Sequence, residues 1–244
     1  MKRYSLLLAV GMALAAWGLS GEEAEPKPVC ELKLDGTAEN TGSGKLAAAI
    51  VRPANVRWGE GRVQGKALFL DNDLSNPKKR SIYSAVTLAG KEKFNPAEPF
   101  TVSMWIMPAP ETASCNCSLF STFAGDFGKG FRLQLNRGTF SAQFGSGKKA
   151  SCHSIMARRT RFPVRTDAWN HVAATYDGET CRIYLNGIPC GEAKAKMVPG
   201  TDLSIGAFLK GYGYAFRGGI SQVRIYKQAL TGLQILSEAR DGLK

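Results

Sequence analysis

The sequence predicts an all-β, antiparallel protein, and three observations carry that prediction. In Trp169–Gly191, WNHVAATYDGETCRIYLNGIPCG, the pair Asn186-Gly187 lies between Tyr184-Leu185 and Ile188. Both turn residues accept positive φ, which is the signature of a two-residue β-hairpin. Within the same stretch Cys181, Ile183 and Leu185 alternate with Arg182 and Tyr184. That is the period of two expected of a strand with one face in a core, and helical periodicity does not fit it. Finally, runs of β-forming residues separated by Gly, Pro, Asn and Asp clusters recur from Val29 to Tyr226 without a linker or a long amphipathic helix. A length of 244 residues suits one large β domain.

Taken from the N terminus, the first element is a leader. Lys2 and Arg3 precede an apolar run from Leu6 to Trp17, followed by the small residues Gly18, Ser20 and Gly21. Residues 1–21 therefore read as a secretory signal peptide. The run is shorter than the roughly 20 residues needed to span a bilayer. Residues 22–27 form a short acidic tail, and the folded domain is expected over 28–244. Loss of Lys2 and Arg3 with the leader lowers the formal charge from +12 to +10. The expectation is an exported basic protein, secreted, periplasmic or at the cell surface, with no integral membrane segment after cleavage.

Four segments then occur in a telling order. They are Gly65-Lys66-Ala67-Leu68-Phe69-Leu70-Asp71; Phe100-Thr101-Val102-Ser103-Met104-Trp105-Ile106; the W-N-H-V-A, Y-D-G and I-Y-L-N-G pieces of Trp169–Gly187; and Phe216-Arg217-Gly218-Gly219-Ile220-Ser221-Gln222-Val223-Arg224-Ile225-Tyr226. This set resembles the laminin-G-like group of the concanavalin A-like lectin/glucanase superfamily and covers nearly all of the chain after about residue 28. The resemblance implies a two-sheet antiparallel jelly-roll sandwich. The sequence departs from the pattern at Ser221, where the family usually has Asp. A short C-terminal helix is expected as well: Thr231-Gly232-Leu233-Gln234 is a capping-box pattern opening a helix over Leu233–Ala239, with Leu233 and Leu236 facing the sandwich.

The superfamily includes glucanases, whose retaining chemistry needs two carboxylates roughly 5–5.5 Å apart. The family writes that pair as E-x-D-x-x-E on one strand face, and no such arrangement exists here. Asp71-Asn72-Asp73 keeps the alternation but lacks the third acid, so no catalytic residue is assigned and glycoside hydrolysis would rest on fold analogy alone. The histidines, His153 and His171, have no zinc-like pairing. His171 stands where the family often has a structural histidine. The resemblance also implies a structural calcium, with Asp35 and Asn40 as candidate oxygen donors. Ser221 removes the expected acid on the last strand, and the reading of Asp35–Gly42 as ordinary turn residues stays open beside it.

All six cysteines follow the leader, and an oxidising compartment permits disulfides. With Asn186-Gly187 as the turn, Ile183 should face Cys190. Cys181 and Cys190 then become diagonal neighbours about 7–8 Å apart, close to the limit for a bridge. Either a Cys181–Cys190 bond or two buried thiols fits. Cys115-Asn116-Cys117 is too tightly spaced for a zinc pair and reads as a loop with a partner at Cys152 or Cys30.

Binding is the remaining activity. Between Gly145 and Trp169 there are six basic residues, Lys148, Lys149, Arg158, Arg159, Arg161 and Arg165, against the single acid Asp167, and Lys78-Lys79-Arg80 adds another cluster. Arginine forms forked bonds to carboxylate, sulfate and phosphate, so Arg158, Arg159 and Arg161 are candidate contacts for an anionic glycan. Simple solubility explains the same charge equally well. Nucleic acid is a weaker reading of the same charge, because no recognition motif is present and the leader sends the chain away from the genome; no nucleic-acid partner is expected. Neutral sugars would be held by exposed rings. The Gly-rich loop Lys210-Gly211-Tyr212-Gly213-Tyr214 offers Tyr212 and Tyr214, and Trp105, opposite in phase to Val102, Met104 and Ile106, is a third candidate. Two functions follow: a non-catalytic carbohydrate-binding module, or a structural, adhesive module gripping a cell-surface protein.

Overall fold

A computed structural model describes residues 25–62, 65–75, 83–90, 94–123, 127–149, 151–200 and 203–241. The expected leader and the Lys78-Lys79-Arg80 cluster lie outside these residues.

The strands are β1 (Cys30–Leu32), β2 (Leu46–Val51), β3 (Val56–Glu60), β4 (Lys66–Leu70), β5 (Ala85–Gly90), β6 (Phe100–Pro108), β7 (Asn116–Ser121), β8 (Phe131–Asn136), β9 (Thr139–Gly145), β10 (Cys152–Met156), β11 (Asn170–Tyr176), β12 (Thr180–Leu185), β13 (Ile188–Lys194), β14 (Ser204–Ile205) and β15 (Gly218–Tyr226), followed by helix α1 (Gly232–Arg240). They form two sheets. Sheet A has the order β13-β12-β11-β6-β15-β4-β3, with β1 added on β15, and sheet B the order β10-β9-β8-β7-β14-β5-β2. Every pairing is antiparallel. This is the sandwich that the sequence predicts.

Alternation decides what each strand buries. On β6, Val102, Met104 and Ile106 enter the central core, where they join Val172 and Ala174 of β11. From sheet B they meet Leu119 and Phe120 of β7, Phe131, Leu133 and Leu135 of β8 and Phe140 of β9. Rings bridge the two sheets: Phe100 lies 5.0 Å from Phe94 and from Phe131 and 5.8 Å from Tyr176.

The outer face of sheet A is closed by α1. Ile235 of the helix packs with Ala173, Tyr184, Tyr226 and Leu230. The capping box is present, with Thr231 Oγ1 accepting from the Gln234 backbone and Gln234 Oε1 accepting from the Thr231 N–H. The facing residues differ from expectation. Ile235 and Ala239, four apart, are buried, whereas Leu233 points into solvent at 80% exposure. Leu236 meets the β12–β13 turn instead, where a Cβ on Gly187 would stand 2.8 Å from its Cδ1.

An ionic hub fixes the helix. Arg224 of β15 pairs with Glu31 at 3.0 Å, Glu238 at 3.6 Å and Asp241 at 3.1 Å. Burial opposes its charge, but Glu238 and the other acids more than offset that and raise its pKa. Tyr226 donates its hydroxyl to Glu238.

Trp105 and His171 lie on this same outer face. The indole is 7% exposed, covered by the Arg62 guanidinium at 3.9 Å and flanked by the His171 ring at 5.2 Å. It cannot stack on a sugar, because its face is already taken by a cation. Burial, with Arg224 and Arg62 nearby, pushes His171 down to about 3, and its Nδ1 has no partner among the described residues.

The hairpin register also differs from expectation by a bulge. Tyr184 pairs with Pro189, but Ile183 pairs with Gly191 and Cys181 with Ala193, so Cys190 is the extra residue. Proline has no N–H to give to the ladder, and an extra residue beside it is a normal accommodation. Cys190 donates its thiol to the Ile183 carbonyl at 3.4 Å, so of the two readings open at Cys181 and Cys190 the structure has the buried thiols, and neither Cys115 nor Cys117 is bridged to Cys152 or Cys30.

Two outcomes test this architecture. Gly187→Ala forces a side chain at φ +79° into Leu236 and should cost about 1–3 kcal/mol in thermal or urea unfolding. A depressed His171 pKa means that between about pH 6.5 and 3 only the unfolded chain takes up the proton. The contribution of His171 is therefore complete above about pH 6.5 and is lost on acidification, by at most about 1.4 kcal/mol per pH unit. Urea midpoints measured at pH 7 and 4.5 should fall more steeply for the wild type than for His171→Gln.

Candidate functional site

The main candidate is a pocket of about 650 Å³ over sheet B, walled by Phe127, Phe208, Tyr212 and Tyr214, with Tyr83, Cys115, Asn116 and Arg137 among its other lining residues. A cleft of about 790 Å³ runs between α1 and residues 25–31, but the Arg224 ion cluster already occupies its base.

The pocket is built by the loop between β14 and β15. Leu209, Lys210 and Tyr214 all have positive φ, near +50°, and Gly211 lies at +100°. A Cβ on Gly211 would stand 2.3 Å from the Tyr83 carbonyl oxygen, so only glycine fits there. Buried Asn72 holds the base of the loop. Its amide donates to the carbonyls of Ser84 and Phe216, and its Oδ1 accepts from the Ser84 N–H. Arg52 ties down the tip, donating to the Lys210 carbonyl at 2.6 Å and covering the Tyr212 ring at 5.4 Å. The Ser118 N–H of β7 donates to the Tyr214 carbonyl at 2.6 Å.

The result presents the two expected rings. Tyr212 is 50% and Tyr214 40% exposed, while Phe208 and Phe127 stack behind them at 5.3 Å and 13°. Tyr214 meets Phe208 edge-on at 5.6 Å. Arg137, exposed in the β8–β9 turn at φ +49°, supplies a cation at the rim. Neither the two phenylalanines nor Arg137 stood out in the sequence. Phe208 is set apart only by following Gly206-Ala207, and Arg137 only by preceding Gly138 in a turn.

The arginine cluster lies elsewhere. Arg158, Arg159 and Arg161 are exposed in the turn after β10 and do not line the pocket. The Arg161 N–H donates to the Arg158 carbonyl, and Arg161 covers Phe162 at 5.4 Å. No acid among the described residues pairs with the three side chains. They form a solvated cationic patch.

Asp35 and Asn40 do not fit a calcium cage. Asn40 Oδ1 accepts the backbone N–H groups of Glu31 and Gly42, and its amide donates to Gly44 and Leu46. Asp35 Oδ1 accepts from Lys66 N at 2.5 Å. Both close loops around β1 and β4. Ser221, in place of the family acid, donates to the Lys33 carbonyl, and no cluster of three metal-binding side chains occurs among the described residues.

With this geometry in place, the comparisons are informative. A family model, Laminin_G_3 of the concanavalin A-like lectin/glucanases superfamily, matches residues 80–236. The chain belongs to this family. No curated protein matches it in sequence. Solved structures similar to this laminin-G-like chain include the binding domain of Paraclostridial Mosquitocidal Protein 1 (TM-score 0.65, 16% identity, 88% of this chain and 52% of that one). Domain 4 of AbnA, an extracellular arabinanase from Geobacillus stearothermophilus in complex with arabinotriose, matches with TM-score 0.64 and 20% identity over 88% and 99% of the two chains. The binding domain of Botulinum neurotoxin serotype D matches with TM-score 0.63 and 13% identity, over 88% and 50%. The chain thus spans about half the length of the two toxin domains, and at these identities the likeness shows the fold. All three are binding domains or domains seen with a bound sugar. Among the described residues no helix is long and apolar enough to cross a membrane.

The thiols give a direct check on this structure. Cys30, Cys117, Cys181 and Cys190 are buried, and burial raises each pKa to about 12. Cys115, at the pocket, and Cys152 are partly exposed. A thiol-reactive disulfide reagent should therefore label Cys115 and Cys152 rapidly in the native protein and the remaining four only on unfolding. A Cys181–Cys190 bond would leave those two unlabelled even then.

Proposed function

We propose that this laminin-G-like chain is an exported, non-catalytic carbohydrate-binding module whose site is the Tyr212/Tyr214 pocket. The observation that carries the reading is a pocket of sugar size with two half-exposed tyrosine rings on a pinned loop and a cation at its rim. A tyrosine ring stacks its face on the C–H side of a pyranose or furanose while its hydroxyl bonds to a ring hydroxyl. Rigid loops lessen the entropy lost on binding. The likeness to a sugar-bound arabinanase domain supports the reading, as do the basic balance of the chain and the absence from the sequence of the paired carboxylates a retaining hydrolase needs. The exposed Arg158, Arg159 and Arg161 patch adds long-range attraction for anionic polymers.

A glycan array probed at low and high salt tests both parts. Tyr212→Ala and Tyr214→Ala should each lose about fivefold in affinity, as expected for about 1 kcal/mol of ring stacking, with folding intact. Replacing Arg158, Arg159 and Arg161 together by Ala should flatten the salt dependence for acidic polymers, since exposed charges act over about 8 Å at physiological ionic strength. Retention of no glycan by the wild type would overturn the reading in favour of a cell-surface protein as partner.

A further inference from the structure

Behind the pocket wall, the outer face of sheet B is polar to an unusual degree. The strand register lines up Ser121, Arg132, Gln143 and Ser154 in one row across β7, β8, β9 and β10, and Ser118, Gln134 and Ser141 in the next. Most of these side chains are buried, although they face away from the central core: Arg132 is 3% exposed and Ser118 and Ser141 are fully covered.

Arg132 is the anomaly in this floor. Its Nη2 donates to Gln143 Oε1, while Nε and Nη1 have no hydrogen-bond partner among the described residues. Nor, among those residues, have the hydroxyls of Ser118 and Ser141 in the next row. No carboxylate among the described residues pairs with the guanidinium. Burial lowers its pKa to about 10, the opposite of what an ion pair would do. In place of an acid, three rings surround it: Tyr214 at 4.6 Å, Phe127 at 5.4 Å and Phe208 at 5.6 Å. These are the rings that wall the pocket on their other side. Ring faces attract the charge but do not replace the in-plane bonds a guanidinium makes, and a buried donor without a partner is costly.

The loop backbone is pinned by Asn72, Arg52 and the Ser118 N–H, and the part of the cover that can turn aside is the Tyr214 side chain. Tyr214 combines a positive φ of 47° with 40% exposure, in a loop where Leu209 and Lys210 are likewise left-handed. Such strain at non-glycine residues marks ligand clamps and switch regions. The floor below is rigid sheet.

We propose that Arg132, flanked by the Ser118 and Ser141 hydroxyls, is an oxyanion subsite beneath the Tyr214 loop, taking a carboxylate or sulfate borne by a sugar when Tyr214 swings aside. The inference deepens the carbohydrate reading and rests on it for the sugar, but the oxyanion site stands on its own observations. A desolvated guanidinium with Nε and Nη1 still free to donate suits the oxygens of a carboxylate or a sulfate, and removing such a bond costs about tenfold or more in affinity. Because the site is buried, its binding is screened less by salt than that of the Arg158 patch.

The test is arginine Nε–Hε NMR on the full-length chain, titrated separately with sodium glucuronate, glucose 6-sulfate and glucose. The Arg132 resonance is identified by its loss in Arg132→Lys. The proposal expects this resonance to shift saturably with glucuronate, with the sulfate or with both, and not with glucose; which acid works names the source of the oxyanion. On the array, Arg132→Gln should abolish the preference for acidic over neutral oligosaccharides and leave neutral ones bound as before. An unmoved resonance would overturn the subsite, as would an Arg132→Gln protein that loses acidic and neutral ligands equally, which is the outcome expected if Arg132 only props the rings. Oligosaccharide retained with an unmoved resonance would remove the subsite and keep the carbohydrate reading. A shifted resonance with no oligosaccharide retained would do the reverse.

Discussion

The ring of Phe100 at the interface between the two sheets is the contact on which the rest of the structure depends. It starts β6, a strand in the middle of sheet A, and meets Phe131 at the start of β8 in sheet B. Phe94, Phe120 and Tyr176 close around the pair. Edge-to-face rings at these separations add favourable electrostatics to a large buried apolar area. They also fix the spacing of the sheets. With that spacing set, period-two alternation sends Arg132 and Gln134 outward from β8 and Ser103 and Trp105 outward from β6, so the chemistry of both outer faces follows from the inner one.

The two outer faces are then treated differently. Sheet A receives α1, whose Ile235 and Ala239 supply an apolar cover while Arg224 gathers acids around the edge. Over sheet B the β14–β15 loop, pinned by Asn72 and Arg52, stands beside a floor of serines, glutamines and Arg132. A helix makes a permanent lid because its polar groups are satisfied internally. A loop with left-handed residues and aromatic tips is a surface on which small molecules can be held. The division of labour between a sealed and an open face is what allows a lectin-like reading of one side only.

Much of the fold was legible because it is written in local chemistry. The Asn186-Gly187 turn, the alternation of β12 and the capping box at Thr231 each depend on neighbours within a few residues. The exceptions are places where a distant partner decides. Cys190 became a bulge residue because Pro189 could not complete the ladder, and Leu233 lost its expected contact because the helix rotated to place Ile235 on the sheet. Trp105 faces off the core as its phase in the strand predicts, yet nothing in that strand announces that Arg62, from the β3–β4 connection, covers it. Tyr212 and Tyr214 were visible through their glycines. Arg132 was not, although Phe131-Arg132-Leu133-Gln134-Leu135 shows the polar phase plainly; what makes it unusual is the missing acid and the three rings, which come from other parts of the chain.

The Arg224 hub has a consequence for how the domain can be joined to others. Its acids come from β1, at the beginning of the described fold, and from α1 and the residue after it, at the end. One guanidinium therefore staples entry and exit of the domain side by side. A chain that enters and leaves at one point can be spliced into a surface loop of a host protein without prying that loop apart, and copies strung in tandem could hinge freely at their shared corner. The staple is also lopsided: trimming the helix after Ser237 would take Glu238 and Asp241 from Arg224 and leave Glu31, held beside it by the β1–β15 ladder, as its remaining acid.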